Sequence, residues 1–348
     1  MTVDKTYCMS SFLMFRTVAD SDKCFAEGIV PRRWTPPENR VPIHNSEELE
    51  QHLRSHVAVA CEGKRCALAL SGGIDSAILA KFMPKGSVAY TFKCVVPGIA
   101  VTDETPQAAK YAAECGLEHR VVEIYWEDFE KYAPVLMKHK GAPIHSIEVQ
   151  IYKAALQAKA DGLDTLIFGE SSDVTFGGMS GLLSKDWTFG DFVERYSYIM
   201  PYKALKKYVL ASEVYERYEN KGMIDPHEFC RDFFYREGFG SYDNSSKCAG
   251  VDSVAPFSEC YMAVPIDYSR IRSGENKYLV REVFQRLYPN FAAPPKTPMP
   301  RPMNEWLANW QGPTRPEFWP HCTDTMTGDQ KWLVWALERF LNMMEEET

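Results

Sequence analysis

CALALSGGIDSAILAKF, residues 66–82, is the stretch that decides the fold. CALAL (66–70) is a short apolar run closed by Ser-Gly-Gly, the pattern of a strand buried on both faces. SAILAKF (76–82) reads as the helix that follows it. Between them stands Ser71-Gly72-Gly73-Ile74-Asp75-Ser76. Two glycines let the backbone approach an anion and aim N–H groups at it. The helix start adds its positive dipole end, and Ser71 and Ser76 add hydroxyl donors. This order predicts a pyrophosphate cradle at the carboxyl end of a parallel strand, where ligands of such sheets bind. It is not the G-x-x-x-x-G-K-[ST] loop, which the chain lacks. Asp75 is informative, because a carboxylate beside a polyphosphate repels it unless a cation bridges the two; Asp75 therefore implies Mg²⁺. Taken alone, the same six residues also fit a tight strand–helix turn with no ligand.

Working outward, strand and helix alternate. Strands are expected at VAYTF (88–92), HRVVEI (119–124) and DTLIF (164–168). Helices are expected at 104–115, stopped by Gly116, at 126–140, kinked or split by Pro134, and at 147–161, with Ser146 as N-cap. This order predicts an α/β protein with right-handed crossovers and a doubly wound parallel sheet. Upstream, residues 1–30 read as a small β-like piece around SSFLMFRTV. A Pro-rich link at 31–42 and a helix from Ser46 to Cys61 follow. After about residue 180 the strands are expected to stop, leaving helices near 187–218, 225–237, 276–288 and 328–344. Asp225, Pro226 and Glu228 give the second of these a strong start signal. The expected organisation is an N-terminal segment and Pro-rich linker over 1–45 and one α/β unit over 46–348. Within that unit, the phosphate-binding core spans 60–180 and a mostly helical part 181–348.

Two further stretches carry chemistry. Gly169-Glu170-Ser171-Ser172-Asp173, followed by Phe176-Gly177-Gly178, comes directly after the DTLIF strand. Loops after parallel strands open on one edge, so Asp173 is expected to meet the same cation as Asp75. Read alone, it also fits a Ser/Asp-capped turn. Glu275-Asn276-Lys277-Tyr278-Leu279-Val280-Arg281-Glu282 reads by itself as an amphipathic helix with a solvated face.

Composition excludes several classes. The 348 residues are 45% hydrophobic and 25% charged, which rules out a disordered chain or a coiled coil. A net charge of −8 argues against nucleic-acid or anionic-membrane partners, which need clustered cations. No apolar run approaches the roughly 20 residues of a membrane span, and the N-terminus lacks a signal-peptide pattern. Ten scattered cysteines without a C-x-x-C pair point to reduced thiols, a cytoplasmic location and no structural zinc.

Together these stretches resemble the synthetase domain of the asparagine synthetase family, within the larger group of ATP pyrophosphatases with an S-G-G-x-D-S loop. The loop alone is shared with GMP, NAD and argininosuccinate synthetases and with tRNA-thiolating enzymes. GESSDVTFGG (169–178) is similar to the family's G-E-G-S-D-E-x-F-G-G, and GVDSVAPFSE (250–259) to its G-V-E-x-R-x-P-F-L-D. ENKYLVRE (275–282) matches the helix that carries the catalytic lysine, and PKTPMPRPMNEWL (295–307) a following K-x-x-x-x-P-x-x-x-W-L element. The resemblance spans about residues 60–310.

It implies an adenine nucleotide alpha hydrolase-like fold with ATP and Mg²⁺ as cofactors. Ser71, Gly72, Gly73, Asp75 and Ser76, with Gly169 beside them, would bind the nucleotide. Asp75 and Asp173 would hold Mg²⁺. Lys277 would neutralise transition-state charge at the α-phosphate, and Glu170 would assist the incoming amine. The implied reaction joins a small-molecule carboxylate to ammonia or an amine through an acyl-adenylate, releasing pyrophosphate and AMP. Lactam-forming relatives tend to carry Tyr at the Glu170 position, so Glu170 leans toward intermolecular amidation. Lactam or macrocycle formation, or a non-catalytic nucleotide-binding subunit, are the alternatives. The family's glutaminase begins with a nucleophilic Cys, whereas position 2 here is Thr; free ammonia, a separate glutaminase or another amine would supply nitrogen. Val174, Val254 and GAPIH (141–145) depart from the family near the expected acceptor pocket, leaving the acceptor acid open. His145 and Glu148 would face that pocket, or be a surface His and an N-terminal-turn charge. Arg270 and Arg272 would hold a second carboxylate, or stay solvated. Lys296 would close over pyrophosphate from a Pro-rich lid.

Overall fold

The computed structural model describes residues 1–346; residues 347–348, and with them the end of the expected 46–348 unit, lie outside the described residues. At its centre is a five-stranded, wholly parallel sheet of β1 (Cys66–Ala69), β2 (Val88–Cys94), β3 (Glu118–Ile124), β4 (Thr165–Ile167) and β5 (Asp252–Val254). Their lateral order is β5-β4-β1-β2-β3. The chain moves outward through β2 and β3, then crosses back to lay β4 against the other side of β1, with Ala67 opposite Leu166 and Leu68 opposite Ile167. The order reverses between β1 and β4, and loops leaving their carboxyl ends open on one crevice. The expected doubly wound α/β sheet is the one the chain forms.

Strand side chains alternate between two cores, as the pleat requires. Ala67, Tyr90 and Leu166 enter a core shared with α1 (Lys5–Phe15). Leu68, Ala89 and Ile167 enter another, shared with α2 (Ser46–Cys61), α3 (Ile74–Ala80) and α4 (Thr105–Cys115). The first core also takes α5 (Trp126–Lys140) and α6 (Ile147–Ala160). The loop after β4 contains α7 (Ser172–Thr175), and α8 (Phe189–Tyr196), α9 (Tyr235–Ala249), α10 (Tyr278–Leu287) and α11 (Gly328–Glu346) follow. Local signals set several ends. Asn45 Oδ1 accepts from Glu48 N at 2.9 Å to start α2, and Gly116, at φ 67°, closes α4 in the left-handed region. No helix among the described residues is long and apolar enough to cross a membrane.

Five expectations are corrected. The apolar N-terminal run forms α1, not a β-like piece; only Thr2–Val3 pairs, with Lys23–Cys24. Every residue from Tyr7 to Phe15 is buried, and a helix apolar all round has no amphipathic period to distinguish it from a short strand. Pro134 does not split α5 into two elements: the helix runs unbroken from Trp126 to Lys140 and packs Phe129, Ala133, Leu136 and Met137 into the core around it. Strands do not end at residue 180. β5 joins the sheet edge beside β4, and Trp187–Thr188, Glu219–Asn220 and Met223–Ile224 form a small antiparallel sheet. These are two or three residues long, too short for a period-2 pattern. The 187–218 helix is broken after Tyr196 and resumes only at Glu213–Glu216, with a 3₁₀ turn at Pro201–Lys203. The helix begun at Asp225, whose side chain accepts from His227 N and Glu228 N, continues through a π turn at Cys230–Phe234 into α9.

Phe15 lies within 5.2 Å of the Tyr215 ring and 5.1 Å of the Phe233 ring. Phe15→Ala is expected to lower unfolding stability by about 3–5 kcal/mol in a urea titration; a loss under about 1 kcal/mol would show α1 to be an appendage.

Candidate active site

The crevice at the strand-order reversal has a volume of about 190 Å³ and is lined by Ser71, Asp75, Glu170, Asp173, Tyr242 and Lys296, among others. The turn after β1 is pinned internally. Ser71 N donates to Ser76 Oγ at 3.0 Å, and Gly73 N donates to Ser71 Oγ at 3.1 Å. Gly73 has a φ of −84°, so its lack of a side chain serves close packing, not a left-handed turn. A Cβ on Gly72 would meet Glu104 Cβ at 3.4 Å, and one on Gly169 would meet Ser76 N at 2.9 Å. The expected nucleotide-binding residues of both loops are therefore packed against each other.

Asp75 and Asp173, from the loops after β1 and β4, converge on Lys277. Lys277 Nζ lies 2.7 Å from Asp75 Oδ2 and 3.0 Å from Asp173 Oδ1. Ser172 Oγ donates to Asp75 Oδ1 at 2.9 Å, tying the loops together. Lys296 Nζ lies 3.1 Å from Asp173 Oδ1 and donates to the Gly178 carbonyl at 3.1 Å, so the Pro-rich strap closes over this edge. Burial disfavours the charged form of Lys277, but the two carboxylates outweigh it and raise its pKa. Burial likewise pushes Asp173 up, and the two ammonium groups more than reverse that, holding it below the usual carboxylate range.

The backbone supports this cluster at some cost. Lys277 has φ 54° and Ser171 φ 74°, left-handed conformations that side chains rarely adopt and that accumulate at functional sites. Gly178 is fixed by space: a Cβ there would lie 2.0 Å from Asp173 Oδ1 and 2.7 Å from Lys277 Cδ.

Glu170 occupies a different environment three residues from Asp173. Burial drives its pKa up to about 7; the Ser171 N–H and the Tyr242 hydroxyl oppose this, while the nearby Asp173 charge reinforces it. Gly238 backs the group, where a Cβ would lie 3.2 Å from Glu170 Oε1. Tyr242 and Gly238, one turn apart on α9, were not legible as site residues, since α9 was expected to end at 237. Glu104 was also missed: its carboxylate lies at the Gly72 N–H, and burial raises its pKa to about 7.

Other expectations fall elsewhere. His145 is buried, not a surface group, and Glu148 is the charge expected in the first turn of α6, but buried. Glu148 accepts from Lys140 Nζ at 2.6 Å, Asn244 Nδ2 at 2.7 Å and His145 N at 2.9 Å, and neither it nor His145 lines the crevice. Arg270 pairs with Glu275 and Glu282, and Arg272 with Asp186 at 2.6 Å; neither lines the crevice.

A sequence profile described as asparagine synthase matches residues 48–315. The chain belongs to the asparagine synthase family. No curated protein sequence matches the chain. Similar solved structures include an NH3-dependent NAD synthetase from Campylobacter jejuni (15% identity, TM-score 0.26, 39% of this chain and 61% of that one). The asparagine synthase-family chain thus spans less than two thirds of that synthetase. A U34-tRNA thiolase from Methanococcus maripaludis with its [4Fe-4S] cluster matches at 15% identity and TM-score 0.30, over 72% of this chain and 82% of that one. An NMN synthetase from Francisella tularensis matches at 13% and 0.29, over 73% and 100%.

The donor set can be tested against Mg²⁺. Among the described residues no group of three or more His, Cys, Asp or Glu side chains could hold a metal. Two carboxylates from separate loops fit a hard cation that arrives with phosphate and water oxygens completing its shell. Gly178→Ala, by displacing Asp173, is expected to weaken Mg·ATP binding roughly ten- to hundredfold in a calorimetric titration with the circular dichroism spectrum unchanged. Wild-type affinity would show that Asp173 takes no part.

Proposed function

We propose that the chain uses ATP to adenylate a small-molecule carboxylate and passes the acyl group to ammonia or an amine, releasing pyrophosphate and AMP. The convergence of Asp75 and Asp173, which both line the crevice, on the buried Lys277 ammonium carries this reading. Asp75 and Asp173 would hold Mg²⁺, which when bound shields phosphate charge. The Ser71–Ser76 turn and Gly169 bind the pyrophosphate moiety.

The substrate carboxylate oxygen attacks the α-phosphorus, and the bond to the departing pyrophosphate breaks. Lys277, already an ammonium, and Lys296 neutralise the charge that develops there; as preorganised cations in a partly dry site, they act by electrostatic stabilisation. The amine nitrogen then attacks the acyl carbon, AMP leaves, and Glu170 takes the proton. A pKa of about 7 suits that task, since near neutrality a large fraction of Glu170 is ionised and still basic enough to accept it. Tyr242 and Ser171 N–H hold the carboxylate in place.

An ATP–pyrophosphate exchange assay across candidate acids tests this. Exchange is expected with at least one acid and to fall about 10²–10³-fold in Lys277→Ala. Glu170→Gln is expected to retain exchange but lose acyl transfer to the amine. In wild type, transfer is expected to rise as pH climbs through about 7, as Glu170 loses its proton. Undiminished exchange in Lys277→Ala would refute the assignment.

A further inference from the structure

The charges around the crevice limit what can lie there beside the nucleotide. The carboxyl groups of Asp75, Glu104, Glu170 and Asp173 line it, and among the described residues Lys296 is the one cation that does. Lys296 is already committed: its Nζ lies 3.1 Å from Asp173 Oδ1 and donates to the Gly178 carbonyl at 3.1 Å. Lys277 is held by Asp75 and Asp173. Two ammonium groups and two aspartates cancel. What remains is acidic, Glu104 and Glu170, each raised by burial to about 7.

The neighbouring cations are satisfied elsewhere. Arg301, next to Pro300 on the strap, donates from Nε to Asp329 Oδ1 at 2.7 Å, from Nη2 to Asp329 Oδ2 at 3.3 Å and from Nη1 to the Met299 carbonyl at 3.1 Å. Arg270 and Arg272 pair with their own acids away from the crevice. Thr91 Oγ1 donates its proton to the Leu70 carbonyl at 2.6 Å. The rest of the lining is largely carbon surface, from Phe92, Phe168, Tyr242, Pro298, Met299 and Pro300. The Tyr242 ring stands 5.0 Å from that of Phe168, and its hydroxyl meets Glu170. This aromatic wall therefore adjoins the group that takes the amine's proton, where the acyl carbon must sit.

We infer that the acid activated here carries one negative charge, on the carboxylate that attacks ATP, and that the rest of the molecule is apolar or aromatic. The inference rests on the ligase reading and deepens it by naming the substrate class. A second carboxylate, as in aspartate, would leave water to face Glu104 and Glu170 with no cation to pair with, an unfavourable transfer. An apolar body instead gains by covering Phe168, Met299 and the prolines. The attacking carboxylate escapes the penalty: its charge disappears as its oxygen bonds to the α-phosphorus and pyrophosphate leaves with the electron pair.

Pyrophosphate exchange with matched acids tests this on the full chain. Each monocarboxylate is paired with the acid that adds one carboxylate to its skeleton: butyrate with glutarate, alanine with aspartate, phenylacetate with phenylmalonate. In every pair that supports exchange, kcat/KM is expected to be at least about tenfold higher for the monocarboxylate. Met299→Lys and Thr297→Lys each place an ammonium on the strap, and at least one is expected to shrink that difference. A dicarboxylate as good as its partner, or a preference unmoved in both variants, would overturn the inference. Absence of exchange with every acid would instead defeat the ligase reading. Calorimetric titration of the same pairs onto the chain saturated with Mg²⁺ and a non-hydrolysable ATP analogue then decides the crevice. The monocarboxylate is expected to bind about tenfold more tightly; equal binding within pairs, or no binding by any acid, would overturn the inference.

Discussion

A lysine ammonium buried between two carboxylates is the constraint on which the architecture turns. Removing Lys277 from water carries a penalty of several kcal/mol, offset only if its partners are close and fixed. Asp75 and Asp173 supply that, at 2.7 and 3.0 Å, and each comes from a loop leaving a different strand of the sheet. The parallel pairing of β1 with β4 brings those loops together, and α10 brings the lysine from far along the chain. The left-handed backbone at Lys277, itself unfavourable by about 1 kcal/mol or more, persists because the cluster over-determines it.

The same loop shows how environment separates two like groups. Asp173, beside two ammonium groups, is held ionised; Glu170, three residues earlier, lies against Tyr242 and Gly238 and titrates near neutrality. Two carboxylates pushed apart in pKa by their surroundings are suited to divided work, one holding charge and the other moving a proton.

The central fold was legible because its signals are local. An apolar strand, a Gly-Gly turn and a helix start lie within one window at 66–82, and β4 repeats the pattern at its own loop. What escaped notice was set by tertiary contact. α1 is apolar on every side and has no period to read, and β5 is three residues long and is a strand only because β4 lies beside it. Nothing intrinsic to ENKYLVRE distinguished Lys277 from a solvated lysine; resemblance to a family, not residue chemistry, singled it out. Tyr242 was hidden for a related reason. Gly238 and Gly240 weaken the helical pattern where it continues, and at Gly238 the missing side chain makes room for the Glu170 carboxylate.

The measurement that bears most directly on two loops sharing one cation is a double-mutant cycle on Mg·ATP affinity with Asp75→Asn, Asp173→Asn and the pair. If both carboxylates act on the same ion, the second substitution adds little to the first, giving a coupling of about 1–3 kcal/mol. Losses that simply add would mean that Asp75 and Asp173 serve separate sites and would contradict the account.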